Sequence, residues 1–374
     1  MFFKDVIGQH NIKERLIKSA KEQRISHALM FTGPEGTGKL ALALAFAQYI
    51  SCRNRGGNDS CGECPSCRKY QKLIHPDLHF VFPVFTTKSL KKPVSDDFLP
   101  GWRELVLKTP YFSLSKWLDF IGNENAQGLI YEAESDAITR KLNFKPFESE
   151  FKVMIIWLPE KMHSSCSNKL LKLIEEPPEK TVFFMVTEDE EAVITTIRSR
   201  VQTIKVPCIE REDMRKAISN LEGVNNHNIE NALQVANGNF IKVLEYLDPE
   251  GDSGYFLGKF QELMRFAYMQ QIPGLMEWAE DMASIGRDRQ KAFFSFALRL
   301  VREFFIMNFN MPGLVYLTTE EATWGEKFSP FINERNVIPF FKEFESGIHH
   351  ISINGNPRII FLDTALRMVR LIKR

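Results

Sequence analysis

Four of the six cysteines stand together: Cys52, nine residues on Cys61, then Cys64 and Cys67 at intervals of three. Thiolates at such spacing suit tetrahedral zinc, and four of them fill its coordination shell, so the expected site is structural with no open position for water. A dithiol switch on one of the overlapping C-x-x-C pairs is the competing chemistry, and it leaves the other two cysteines without a task. None of the eight histidines shares the spacing. A second group is Gly33-Pro34-Glu35-Gly36-Thr37-Gly38-Lys39. Glycines in such a run let backbone N–H groups turn toward an anion, a following helix start adds partial positive charge, and Lys39 would reach the outer phosphates of a nucleotide. Next to that lysine, where a Ser or Thr hydroxyl holds magnesium, stands Leu40. A glycine turn with a solvated lysine is the plain alternative.

A phosphate loop works only between a strand and a helix, and the chain supplies both. Short apolar runs at Ala28 to Thr32, Leu78 to Phe82, Lys152 to Trp157, Thr181 to Thr187 and Val201 to Val206 predict strands covered on two sides. Helices fall between them, notably Lys39 to Ile50 and Ser165 to Glu176, the latter stopped by Pro177-Pro178. The alternation predicts an α/β fold with a parallel sheet and helices on both faces over residues 1–207. Residues 83–127, with Lys88, Lys91, Lys92 and several aromatics, fit the alternation poorly and read as an insertion on the sheet. Beyond Val206 the pattern is helical. Pieces near Glu210 to Ser219, Asn228 to Ala236 and Phe240 to Leu247 suggest a small three-helix domain over 208–250, and Pro249-Glu250-Gly251-Asp252 a linker. Residues 251–374 read as a bundle, centred on Phe293, Ala297, Leu300 and Phe304 with Phe294, Leu298, Val301 and Phe305 beside them. A last helix carries the stripe Ile359, Leu362, Leu366 and Val369.

A nucleotide engine also needs carboxylates at the end of a later strand to orient magnesium and water. The strand from Lys152 runs instead into Trp157-Leu158, and Glu160 follows the strand-breaking Pro159 two positions out of register. Ser199-Arg200 closes a helix before the strand at Val201, where an arginine taken alone is a helix-end charge on terminal carbonyls.

Composition narrows the classes. At 374 residues, two or three domains are expected, and 25% charged with 44% hydrophobic residues describes an ordinary folded chain. Lys+Arg 48 against Asp+Glu 47 provides no global field for nucleic acid or anionic lipid, so any DNA contact must come from a local patch. The longest apolar run, Leu40 to Ala47, is too short to span a bilayer, and the start lacks the regions of a secretion signal, which predicts a cytoplasmic protein.

Taken in order, these elements resemble the clamp-loader branch of the AAA+ ATPases, closest to the delta-prime type of bacterial DNA polymerase III. The resemblance rests on Val6-Ile7-Gly8-Gln9, Arg24-Ile25-Ser26-His27-Ala28-Leu29, the phosphate loop and the four-cysteine insertion. It continues through Asn168-Lys169-Leu170-Leu171-Lys172-Leu173-Ile174-Glu175-Glu176-Pro177-Pro178-Glu179 and Ile197-Arg198-Ser199-Arg200. The C-terminal third matches only in being helical and in position. The gamma/tau ATPases of the family keep Ser or Thr after the loop lysine, an Asp-Glu pair on the later strand and a lid arginine; here stand Leu40, Trp157-Leu158 and, in Gly238-Asn239-Phe240-Ile241, an isoleucine beside Lys242. The family's Ser-Arg-Cys motif reads Ser199-Arg200-Val201.

The resemblance therefore implies a subunit without its own ATPase engine. Arg200 would be a trans-acting arginine finger for a neighbouring subunit, and Cys52, Cys61, Cys64 and Cys67 the ligands of a structural zinc. Gly33, Gly36, Thr37, Gly38 and Lys39 form a degenerate phosphate loop that could still take ATP or ADP, with no hydrolysis expected. The implied partners are gamma/tau and delta subunits, with the sliding clamp and primed DNA reached through the complex of the DNA polymerase III holoenzyme; the C-terminal bundle would be an oligomerising collar, and no membrane is involved. An active ATPase of the gamma/tau type is the alternative within the family. A zinc-containing DNA-binding module using Lys88, Lys91 and Lys92 is the alternative outside it.

Overall fold

The computed structural model describes residues 1–87, 90–122, 128–221, 226–247, 253–309, 311 and 314–373. Lys88, the last residues of the 83–127 insertion and the expected linker Pro249-Glu250-Gly251-Asp252 lie outside the described residues. The chain divides into two compact units, Met1–Glu222 with Gly238–Lys242, and Gly223–Asn237 with Val243–Arg374.

The first unit is the expected α/β fold, a parallel sheet with helices. Strands β1 (Ala28–Thr32), β2 (Leu78–Val81), β3 (Lys152–Trp157), β4 (Thr181–Thr187) and β5 (Gln202–Lys205) form one sheet in the order β2-β3-β4-β1-β5. All pairings are parallel, with Ala28 opposite Phe183 and Lys152 opposite Thr181. Every residue of β1, β3 and β4 is buried, as their unbroken apolar runs require. The fifth strand departs from expectation. It is an edge strand paired only with β1, and Gln202 and Lys205 face solvent while Ile204 alone is buried, so the apolar signal of its window came from the flanking Val201 and Val206.

Helices α1 (His10–Lys21) and α2 (Lys39–Ser51) belong to this unit, and α2 is buried at all thirteen positions. Its Ala and Leu residues have high helix propensity and no exposed polar face to satisfy, so it sits inside the unit like a core element. Phe46 of α2 stacks on Phe184 of β4 at 5.2 Å. The sequence continues through α3 (Pro65–Gln71), α4 (Leu99–Lys108), α5 (Leu114–Phe120), α6 (Glu132–Leu142), α7 (Ser164–Glu175) and α8 (Thr195–Arg198). One face of the sheet, through Met30, Met154, Ile156, Phe183 and Met185, packs with Ile138 of α6, Leu170 and Ile174 of α7 and Ile197 of α8. The insertion, whose internal structure its sequence left open, is helical: α4 and α5 bury Trp102 and Trp117 completely, and Trp102 stacks on Phe82 at 4.2 Å.

Three helices follow, α9 (Arg211–Ser219), α10 (Asn226–Ala236) and α11 (Phe240–Leu247). The second unit is dominated by α12 (Ser253–Met269), α13 (Ile272–Ser284), α14 (Arg287–Met307), α15 (Thr319–Phe328), α16 (Val337–Ser352) and α17 (Pro357–Leu371). Phe293, Phe294, Ala297, Leu300, Val301 and Phe304 are all fully buried, which makes α14 the central helix expected of its wide apolar face. The stripe expected on the last helix needs correction. α17 buries Ile360, Phe361, Ala365 and Met368, whereas Ile359 is 66% and Leu366 40% exposed. The helix is apolar around most of its circumference, so periodicity finds a stripe without telling which one faces the core. Among the described residues no helix is long and apolar enough to cross a membrane.

Candidate functional site

The cysteine group is built at the C-terminal end of α2. Cys52 caps that helix, and Cys64 caps the start of α3, where Pro65 at the first helical position needs no N–H partner. All four sulfurs lie within 4.8 Å of one another, with Cys52 to Cys61 at 3.5 Å and Cys61 to Cys67 at 3.9 Å. Tetrahedral zinc with bonds of about 2.3 Å separates its sulfurs by about 3.8 Å, so the donor set fits such an ion. The backbone supports the thiolates: Cys61 N donates to Cys52 Sγ, Cys64 N to Cys61 Sγ and Cys67 N to Cys64 Sγ, each at 3.4 Å. Burial raises the Cys64 thiol, but N–H groups of Cys67 and Arg53 outweigh it and bring the group down to about 7, whereas burial drives Cys52 and Cys67 upward. The four residues can hold a metal ion.

The phosphate loop lies at the opposite end of α2, between β1 and Lys39 as its sequence context requires. Gly36 and Gly38 have φ of +72° and +87°, and a Cβ on Gly36 would come within 1.7 Å of Asn239 Oδ1. Only glycine fits there. Two side chains and a carbonyl of the loop are engaged from within the chain. Lys39 Nζ donates to Pro34 O at 2.5 Å, Thr37 Oγ1 donates to the same carbonyl at 2.9 Å, and Gly36 O accepts from Phe240 N at 3.0 Å. Asn239 Oδ1 accepts from Ile241 N at 2.9 Å and so caps α11 beside the loop. Gln9 Nε2 donates to Thr37 O at 3.1 Å and Pro207 O at 2.7 Å, tying the Val6-Ile7-Gly8-Gln9 segment to it.

Charge around Lys39 is unusual for an anion site. The lysine is 5% exposed, and burial holds its ammonium below the ordinary lysine range against the opposing pull of Glu188, Glu35 and Glu160. Desolvation and then Glu35 push the Glu188 carboxyl up to about 7, although the residue itself is exposed. Glu160 accepts from Thr187 Oγ1 at 2.9 Å and Glu188 N at 3.1 Å, which ties it to the end of β4. Glu35 belongs to the loop sequence itself and Glu160 is the displaced carboxylate read from sequence, whereas neither Glu188 nor Tyr111 stood out in the sequence as belonging to the loop. Tyr111 comes from the insertion; its hydroxyl accepts from Ile7 N at 3.0 Å, its ring lies 5.1 Å from that of Phe240, and a Cβ on Gly38 would meet it at 3.0 Å. Their convergence is tertiary and leaves no local signature.

The remaining positions singled out in the sequence are mostly apolar or lie apart from the loop. Trp157, where a carboxylate pair would begin, is 4% exposed and packs 5.2 Å from both Trp102 and Phe112. Leu158 and Leu40 are buried, and in the lid segment Ile241 is buried while Lys242 is exposed. Arg200 is separate from the loop's hydrogen-bond network. Its Nη1 donates to Thr196 O at 3.0 Å and Ser199 Oγ at 3.2 Å, and its Nε lies 2.6 Å from Glu175 Oε1. The helix-end carbonyl contact read from sequence is present, joined by a carboxylate that was not anticipated.

The family described as DNA polymerase III, delta subunit, matches residues 8–210. Subunit delta' of DNA polymerase III from Bacillus subtilis is 29% identical over 196 residues, covering 52% of this chain and 46% of that protein. Subunit tau from the same organism is 27% identical over 200 residues, covering 54% of this chain and 28% of that one. The chain thus spans about half or less of the length of these curated relatives. A solved gamma-subunit-related protein of DNA polymerase III from Thermotoga maritima aligns over 96% of this chain and 99% of its own at 14% identity and a TM-score of 0.42. A family match running from Gly8 through the phosphate loop, the cysteines and Arg200 to Glu210 covers more than half of the chain, and the protein belongs to the DNA polymerase III delta-subunit family of clamp-loader proteins.

Proposed function

We propose that this chain is a non-catalytic, delta-prime-type subunit of the replicative clamp loader, acting in the cytoplasm with gamma/tau and delta subunits to load the sliding clamp on primed DNA. The observation that carries this reading is Trp157. Its indole ends β3 inside an aromatic cluster, where an ATPase of this class needs a carboxylate to hold magnesium. Leu40 and Ile241 supply no hydroxyl and no charge at the other two places, and the three glutamates around Lys39 oppose a further polyanion. In this reading Arg200 serves the nucleotide of the adjacent subunit, and Cys52, Cys61, Cys64 and Cys67 hold a structural zinc. Residues 1–207 form the nucleotide-binding-like domain, 208–250 a lid, and 251–374 a collar, whose exposed Ile359 and Leu366 suit a subunit contact.

The test is reconstitution with the partner subunits. Magnesium-dependent ATP turnover is expected from the assembly and not from the purified chain. Arg200→Ala should lower turnover of the assembly by about 10³-fold or more, the scale of an arginine finger supplied in trans. Unchanged turnover would remove the role assigned to Arg200.

A second reading, a gamma/tau-type ATPase, draws support from the glycine loop with Lys39 in place and from relatives named subunit tau. Substantial turnover by the chain alone would favour it.

A further inference from the structure

We infer that Glu175, the last residue of α7, is the positioning residue that aims Arg200, an inference that rests on the trans role proposed for Arg200. The two side chains come from separate elements, and their meeting is the observation: Arg200 Nε lies 2.6 Å from Glu175 Oε1. At that distance the guanidinium and the carboxylate form a salt bridge between two part-exposed side chains.

The anchor is fixed because both backbones are. Ile174, next to Glu175, and Ile197, three residues before Arg200, are buried in the same core cluster beneath the sheet. That packing sets the end of α7 beside the turn that follows α8. The end of α7 carries the partial negative charge of its terminal carbonyls, which adds to the carboxylate in attracting a cation. Pro177 and Pro178 stop the helix just beyond this point, so Glu175 stands on its last turn.

An arginine side chain unrestrained at a surface has rotamer freedom that a finger must lose when it reaches a phosphate in a neighbour. Here much of that ordering has already occurred. Nε is held by Glu175, and Nη1 by Thr196 O and Ser199 Oγ. None of these contacts uses Nη2, and the side chain is 40% exposed. The guanidinium is therefore held at Nε and Nη1, and Nη2 is left as the nitrogen that can donate to a phosphate oxygen. Glu175 touches no nucleotide in this scheme and acts only through Arg200.

The experiment uses the full chain assembled with gamma/tau and delta subunits, and reads kcat and KM for ATP with four variants: Arg200→Ala, Glu175→Ala, Glu175→Gln and the Glu175→Ala/Arg200→Ala pair. Glu175→Ala is expected to lower kcat about fivefold, the scale of one part-exposed ion pair, with KM unchanged. Glu175→Gln keeps an acceptor for Nε and should restore turnover to within about twofold of the parent, since alignment is what Glu175 supplies. The double variant should match Arg200→Ala, because a residue acting only through Arg200 has nothing left to align. Wild-type turnover in Glu175→Ala, a Gln variant as impaired as Ala, a further loss in the double variant, or failure of Glu175→Ala to assemble would each overturn the inference while leaving the finger in place. Wild-type turnover in Arg200→Ala would instead remove the finger, and this inference with it.

Discussion

The two ends of α2 make opposite kinds of site. At its C-terminal end four sulfurs converge within 4.8 Å, all supplied by a stretch of sixteen residues from Cys52 to Cys67. At its N-terminal end Gly36, Gly38 and Lys39 keep the shape of a phosphate cradle, but the residues brought to it by other elements are Glu160, Glu188 and Tyr111, and β3 ends in Trp157 and Leu158. The first site carries its whole ligand set in local sequence, so short-range geometry is enough to build it. The second depends on groups from β3, β4 and the insertion, and those positions hold apolar, aromatic or acidic side chains. A motif can thus survive as backbone geometry while its chemistry is withdrawn by residues far away in the chain.

The contrast can be broken most decisively at the cysteine end. One zinc per chain is expected, and its loss through chelation or Cys64→Ser should forfeit apparent binding free energy of order 10 kcal/mol. Limited proteolysis should then cut between residues 52 and 67 while the sheet stays protected. Metal-free protein with an unchanged digestion pattern would show that the sulfurs need no ion.

At the other end, Trp157→Asp asks whether the place for a carboxylate is merely vacant or filled. With its ring packed on Trp102 and Phe112, the change should cost at least about 3–5 kcal/mol in urea unfolding, the range for removing a buried aromatic even without an added charge. No ATP turnover should appear. Wild-type stability together with magnesium-dependent hydrolysis would mean that the site was only waiting for its ligand.

The smallest effect sharpens the charge side of the comparison. The Glu188 carboxyl titrates near 7 in the folded protein against about 4.5 for an unperturbed glutamate. Between those values the folded state keeps a proton that the unfolded chain has released, so this group's contribution to stability falls as pH rises through the window and levels off above it. Solvent at the exposed residue screens the effect. Glu188→Gln should flatten the decline and leave the variant the more stable form above pH 7, as read by unfolding midpoints across that range. A parallel decline in both proteins would show that Glu188 does not keep its proton into this range.

Much of the fold was legible because its signals are local. The limits of β1, β3 and β4 follow unbroken apolar runs, and the start of α2 follows Gly38-Lys39. The edge strand β5 was harder, since Gln202, Thr203 and Lys205 resemble a loop and are strand only because β1 pairs with them. On α17 apolar residues surround the helix, so its inward face was set by packing against the bundle, which chose Phe361 and Met368 over Ile359 and Leu366.

The candidate sites divide along the same line. The amino-acid order alone specified the thiolate set, the glycine loop and the want of a hydroxyl at Leu40, because each depends on neighbours a few bonds away. Three-dimensional packing was needed to bring Tyr111, Glu160 and Glu188 to the loop and Glu175 to Arg200. Those groups are distant along the chain, and nothing in their own surroundings records which side chain the folded backbone will set beside them. Their encounter is fixed by strand order and by helix ends buried under the sheet, which are properties of the whole unit.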